Sequence, residues 1–316
     1  MLDITNTKLS SDIIDQIETA DHFYRNTDLE LFAKNHEDEL LNNKLTLFPL
    51  IFISPGINSF NDIKRVSINK TIREDKSNNR LFYLEDLNYP PKKVIDKLYY
   101  NRASYKRQAI FYGGFGDFEA LFENSPDIGD MYTISTWRQK ENTKLCYASI
   151  FHDQRVQNYS DIFRREWNAY RDQLDKLDQK TSNAIEKLFA LITFFFIRPV
   201  EPSKKIEYLL SAHLANKIFN MPYSPGIEAI LYPSVPMEYI ASNLAILPDA
   251  FDNKFEFIKA EEFIVLNKTE GRNQWISSKI AETIGLSGKK LQWKTSYLDD
   301  NLIKFMKKWG IDLKLI

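Results

Sequence analysis

An α+β fold is what this sequence predicts, and three observations predict it. Short apolar runs bounded by Gly, Pro or polar clusters read as strands, among them residues 63–68, 109–112, 131–137, 145–152 and 229–232. Longer segments carry apolar residues at helical spacing, most clearly residues 203–219, where Ile206, Leu210, Leu214 and Ile218 recur at four-residue steps. The two kinds of segment follow one another without a regular strand–helix–strand rhythm, which points away from a doubly wound parallel sheet.

In chain order, Ser10 or Ser11 caps a first helix with Ile13, Ile14, Ile17 and Ala20 on one side, and residues 29–41 repeat the helical period among many acids. Residues 45–53 are apolar apart from Thr46 and Pro49, and Pro55-Gly56 closes the run, which places a domain boundary near Ser54. Residues 63–68 put Ile63, Arg65 and Ser67 on one strand face and Lys64, Val66 and Ile68 on the other. Residues 70–80 are polar and charged without a period, and read as a loop. Residues 109–112 form a buried strand that Gly113, Gly114 and Gly116 end. Asp117 then caps a short helix with apolar Phe118, Leu121 and Phe122, leaving Glu123 on its last turn.

Further on, residues 131–137 and 145–152 read as two antiparallel strands joined by the polar turn 138–144. Residues 159–180 form a charged helix, and 181–197 a largely buried one that Pro199 and Pro202 end. His213, on the helix of residues 203–219, reads as a packed or half-exposed residue without a catalytic part. Residues 229–232 and 244–247 are short core strands flanking Tyr232-Pro233-Ser234. Residues 255–266 alternate loosely, and 298–309 form a helix before a final apolar strand.

A chain of 316 residues buries a full core, and 43% hydrophobic with 27% charged residues is the composition of an ordinary soluble globule. A net charge of -1, from 42 basic and 43 acidic residues with no lysine-arginine block, argues against a nucleic-acid partner. Cys146 is alone, which excludes an intrachain disulfide, and its apolar surroundings suggest a buried inert thiol in a reducing compartment. The four histidines show no metal-ligand spacing, so no metal site is expected. The amino terminus lacks a basic segment followed by an apolar one, and the longest uncharged apolar run, 188–197, is about half a membrane span. These readings point to a cytoplasmic protein with no membrane association.

One group of residues carries chemistry. Nine residues separate Arg102 from Tyr112, and ten separate Tyr112 from Glu123. Downstream lies GIEAILYPSV, from Gly226 to Val235, with Ser234 after Pro233 and then Asn243-Leu244. Upstream are Arg65 in its strand and the pair Pro90-Pro91. In order and spacing these elements resemble the RES family, named for its arginine, glutamate and serine. The resemblance covers roughly residues 61–252; Ala103-Ser104 stand where that family usually has an asparagine.

The resemblance implies a core like that of ADP-ribosyltransferase toxins, a split mixed or antiparallel sheet that grips NAD. On it the chain divides into an N-terminal helical addition (1–54), an NAD-binding catalytic domain (55–252) and a C-terminal extension (253–316). NAD enters as substrate, no cofactor is permanently bound, and a cognate antitoxin or immunity protein is the implied partner. The implied reactions are phosphorolysis or hydrolysis of the nicotinamide–ribose bond, or transfer of ADP-ribose.

Breaking that bond develops positive charge on the ribose carbon, as in glycoside hydrolysis, so a placed carboxylate favours the transition state. Glu123 is the candidate, with Arg102 and Tyr112 beside it in the catalytic set and Arg65, Ser234 and Asn243 in the binding set. Guanidinium forks suit the two phosphates. On residues alone, Glu123 reads as a solvated helix end, Tyr112 equally as core or as a stacking platform, and Asn243 equally as a turn residue or a ligand contact. Ser234 has no histidine base near it in sequence and reads as a hydrogen-bonding group, not a nucleophile. Neither a Rossmann glycine fingerprint nor a phosphate loop is present. The alternative function is a nucleotide-binding sensor or interaction protein without turnover.

Overall fold

Side-chain caps and breakers place the helices where the apolar periodicity alone leaves their ends open. The computed structural model describes residues 8–47, 55–73, 75–151, 161–222, 226–269, 274–311 and 313. Its helices are α1 (Ser11–Asn26), α2 (Leu29–Asn35), α3 (Glu37–Leu41), α4 (Asn69–Ile72), α5 (Asp117–Asn124), α6 (Asp161–Leu174), α7 (Gln179–Ile197), α8 (Tyr208–Phe219), α9 (Pro248–Lys254) and α10 (Asp300–Lys308). Its first strands are β1 (Gly56–Asn58), β2 (Ile63–Ile68), β3 (Phe111–Gly114), β4 (Met131–Gln139) and β5 (Leu145–Ser149). The later ones are β6 (Ala229–Pro233), β7 (Ser242–Ile246), β8 (Phe255–Thr269), β9 (Gln274–Ser287) and β10 (Lys290–Thr295). The architecture is α+β. No helix among the described residues is long and apolar enough to cross a membrane.

Two compact units divide the chain, and each is built from separated segments. The first takes residues 1–58, 96–108 and 144–246. Its strands run in the order β1-β5-β6-β7; β5 and β6 are parallel, Ala148 facing Ile230, and the other neighbours are antiparallel. The core helix is α7, capped at its start by the Asp178 carboxylate, which accepts from the backbone N–H groups of Lys180 and Thr181. Leu188, Leu191, Ile192 and Phe196 on α7 are fully buried. Against it lie α1, through Tyr24 edge-on to Phe195 at 5.4 Å, and α8, whose Leu209, Leu210, Leu214 and Ile218 are buried. Cys146 is buried on β5 and in no disulfide.

The second unit takes residues 59–95, 109–143 and 247–316. Its sheet runs β3-β2-β4-β8-β9-β10 and is antiparallel throughout. Opposed residues share a face, so the register separates two environments. On one face Val66, Tyr132, Ile134 and Val265 pack with Leu121 of α5. On the other, Met131, Ile264 and Ile280 pack with Met306 of α10, while Arg65, Ser67, Ser135, Thr133 and Glu262 form a polar stripe along the same side.

Several expectations change. The strands expected at 131–137 and 145–152, of which residue 152 lies outside the described residues, appear as β4 and β5 but do not pair: β4 has β2 and β8 on its two edges, and β5 has β1 and β6. Gly113 and Gly114 lie inside β3 instead of ending it. A Cβ at Gly113 would stand 2.9 Å from the Lys64 carbonyl oxygen and 2.7 Å from the Phe111 ring, so glycine is what lets the two strands meet. The expected helix over 159–180 stops at Leu174, and the chain restarts at Asp178 because the aspartate caps α7; residues 159–160 lie outside the described residues. Residues 203–219 begin as a 3-10 turn, Pro202–Glu207, and become α-helical at Tyr208. Residues 70–80 are no plain loop: after α4, Arg80 is buried and paired. The loosely alternating segment 255–266 is part of the 15-residue β8. Ser54, the expected boundary, and residues 314–316 of the expected last strand lie outside the described residues.

Candidate functional site

Of the six residues singled out from sequence, the second unit carries Arg65, Tyr112 and Glu123, and the first carries Arg102, Ser234 and Asn243. Arg65 projects from β2 toward β3. Its guanidinium lies 5.8 Å from the Phe111 ring centroid, and its Nη1 donates to the Tyr112 carbonyl at 3.3 Å. Its Nε is buried with no hydrogen-bond partner, and no carboxylate pairs with Arg65 among the described residues. Burial, opposed by the nearby Tyr112 phenol, pulls the Arg65 pKa down to about 10, which leaves it charged at neutral pH. Two strand positions on, the Ser67 hydroxyl is buried and also without a partner.

A half-buried cation with a buried donor left unused costs free energy, and an anionic ligand would remove that cost. Sequence reasoning found Arg65 and passed over Ser67; the signal was a strand with polar residues at alternate positions and apolar neighbours between them. Tyr112 is half-buried and touches Arg65 through its backbone carbonyl. Glu123 is exposed on the last turn of α5. Leu121 of that helix packs with Val66, on the sheet face opposite Arg65, so Glu123 and Arg65 are not brought onto one face.

Arg102 is buried and engaged. It sits in the tight turn formed by Asn101 and Ser104, which exchange backbone hydrogen bonds. Its Nη1 donates to the carbonyls of Phe196 at 2.5 Å and Arg198 at 3.1 Å, where α7 ends, and its guanidinium stacks 5.2 Å from the Tyr208 ring centroid. The last carbonyls of a helix lack intrahelical partners, and this arginine supplies one. Arg198 beside it pairs with Glu207, and burial, then the charge of Arg102, pull its pKa down to about 10.

Ser234 is fully buried at the end of β6, its N–H bonded to the Ala241 carbonyl at 2.8 Å and its own carbonyl accepting from Tyr239 at 2.9 Å. Glu238 and Tyr239 turn the chain back with φ of 48° and 70°. Asn243 is buried on β7 opposite Tyr232. The hairpin thus fixes Ser234 and Asn243 rigidly. His213 is buried too, its Nδ1 2.9 Å from the Tyr105 hydroxyl.

Fold and site together define an α+β protein with a half-buried, partly unsatisfied arginine on a strand. Comparison with known protein families finds none that matches the chain, and comparison with curated proteins finds no match.

Proposed function

We propose that this chain binds NAD and breaks its nicotinamide–ribose bond, by hydrolysis, phosphorolysis or transfer of ADP-ribose, as the RES-like spacing of Arg102, Tyr112 and Glu123 suggests. The observation that carries the binding step is Arg65, a cation with a buried Nε that no group among the described residues uses. A dinucleotide's phosphates are the matching acceptors. Glu123 is assigned the oxocarbenium-facing carboxylate, and the resemblance supplies an antitoxin or immunity protein as partner. Purified protein is expected to release nicotinamide from NAD, and Glu123→Gln to slow release about a hundredfold, the effect of losing about 3 kcal/mol of electrostatic stabilisation. A folded Glu123→Gln protein with wild-type turnover rejects the catalytic assignment.

Two observations favour a second reading, nucleotide binding without turnover: Glu123 is exposed on a helix packed against the face away from Arg65, and Arg102 is committed to backbone carbonyls. Calorimetry with NAD separates the two. Arg65-dependent binding without nicotinamide release supports the second reading, and the absence of binding rejects both.

A further inference from the structure

We propose that the first unit carries a binding site for a small organic ammonium compound, in the cleft lined by β1, β5, α6 and α7. The cavity has a volume of about 220 Å³, below the roughly 300–1,000 Å³ of drug-sized pockets, so it suits a small molecule. Four of its walls are aromatic: Tyr147, Phe151, Tyr170 and Phe189. Phe151 stands edge-on to Tyr170 at 5.7 Å, and Tyr170 meets Phe189 at 4.7 Å, so this side of the cleft is a continuous aromatic surface. Ring faces are negative, and they attract a cation while adding apolar contact for the carbon body that bears it.

Glu166 is the single charged side chain among the described lining residues, and it carries the complementary sign. The Tyr147 hydroxyl holds it in place by donating to its Oε1 at 2.7 Å, and the Asn58 side chain bonds the same hydroxyl. Burial, then the bond to Glu166, raise the Tyr147 pKa, so the phenol stays protonated and keeps donating. The described lining residues include no lysine or arginine, so their one charge, on Glu166, favours a cation over a phosphate or carboxylate.

One further group points to an occupant. The Ser149 hydroxyl is buried at 3% exposure and has no hydrogen-bond partner. A buried polar group without a partner is costly, and a ligand N–H or hydroxyl would satisfy it. The wall also requires a glycine: a Cβ at Gly56 would lie 2.6 Å from the Tyr147 ring, so only a bare backbone lets β1 close against it.

The test is calorimetry on the full chain with phenethylammonium, its neutral counterpart phenethyl alcohol, inorganic phosphate and NAD. The ammonium is expected to bind about tenfold or more tighter than the alcohol, the ratio for one desolvated cation–aromatic and carboxylate contact, and phosphate not to bind in this cleft. Glu166→Gln keeps an acceptor for Tyr147 and is expected to fold normally while erasing the preference. Ser149→Ala is expected to weaken ammonium binding with an unchanged melting temperature. Equal binding of amine and alcohol, no binding of either, or a preference that survives Glu166→Gln overturns the proposal. Displacement of the amine by NAD overturns it as well, because the cleft would then belong to the dinucleotide.

Discussion

Replacing Arg102 with alanine tests whether this guanidinium braces a helix or serves a ligand. The change removes the bonds to the Phe196 and Arg198 carbonyls and the stack on Tyr208. A hydrogen bond from a charged donor contributes about 1.5–3 kcal/mol net, and a desolvated cation–aromatic contact up to about 2. Relief of the repulsion between Arg102 and Arg198, and water entering the space, offset part of that. The expected loss is about 4 kcal/mol, which at roughly 2–4 °C per kcal/mol for a domain of about 150–250 residues lowers the melting temperature by about 8–16 °C. Arg102→Lys keeps the charge but not the fork, and about half the loss is expected. The assays are thermal unfolding and hydrogen exchange of peptides from the end of α7, which should exchange faster in both variants. A folded Arg102→Ala protein with wild-type melting and unchanged exchange, yet weakened NAD binding, refutes the brace and returns Arg102 to the ligand.

Glu262→Ala leaves Arg80 buried without its carboxylate and is expected to cost about 3–5 kcal/mol in urea unfolding, whereas Arg80→Met with Glu262→Leu should recover most of it. His213 is held neutral, its pKa pulled down to about 4 chiefly by burial and then by Lys217. Between about 4 and the usual 6.5 the unfolded chain therefore binds the extra proton, so stability falls as pH drops through that window, by about 2 kcal/mol after screening. Unfolding midpoints between pH 7 and pH 4 check this, and His213→Gln should flatten the slope. Ser234→Ala is expected to slow nicotinamide release on the order of tenfold, one hydrogen bond of about 1.4 kcal/mol, with no ADP-ribosyl adduct on Ser234 in the wild type. Full activity with a lowered melting temperature would make it a structural serine.

The α+β class was legible because helical and strand periods differ sharply, and α1, β2, β4, β6 and α10 lie where their apolar patterns put them. Pairing was not, since β4 and β5 look like a hairpin locally and only long-range partners on both edges reveal otherwise. The glycines after Tyr112 signal a break in any local reading, yet they stay in β3 because of a contact with Lys64 far away in sequence. The long strand β8 carries exposed Glu256 and Lys259, and β9 exposes Ile276, Ile284 and Leu286, so neither shows a clean apolar-in, polar-out alternation that would mark its length. At the candidate site, the spacing of Arg102 was visible but its use was not, because the acceptors are backbone carbonyls at the end of α7, and carbonyls have no sequence signature.

The polar stripe of the second unit bears on how that sheet avoids misassembly. Thr133 donates to Asn69, Asn69 donates to Glu262, and Arg80 donates to the other oxygen of the same carboxylate, so one chain of bonds joins β4, α4, β8 and the segment before the 3-10 turn at Leu84–Asp86. Antiparallel strands as long as β8 can slide by a residue with little loss of backbone bonding, and a slide of one inverts the faces. Here such a slide would drive the Glu262 carboxylate among Val66, Tyr132 and Ile134 and strand Arg80 with no counter-charge. The network therefore acts as a combination lock on alignment, in which a single wrong setting is penalised at every contact together, and the cost of burying charge becomes a source of fidelity in assembly.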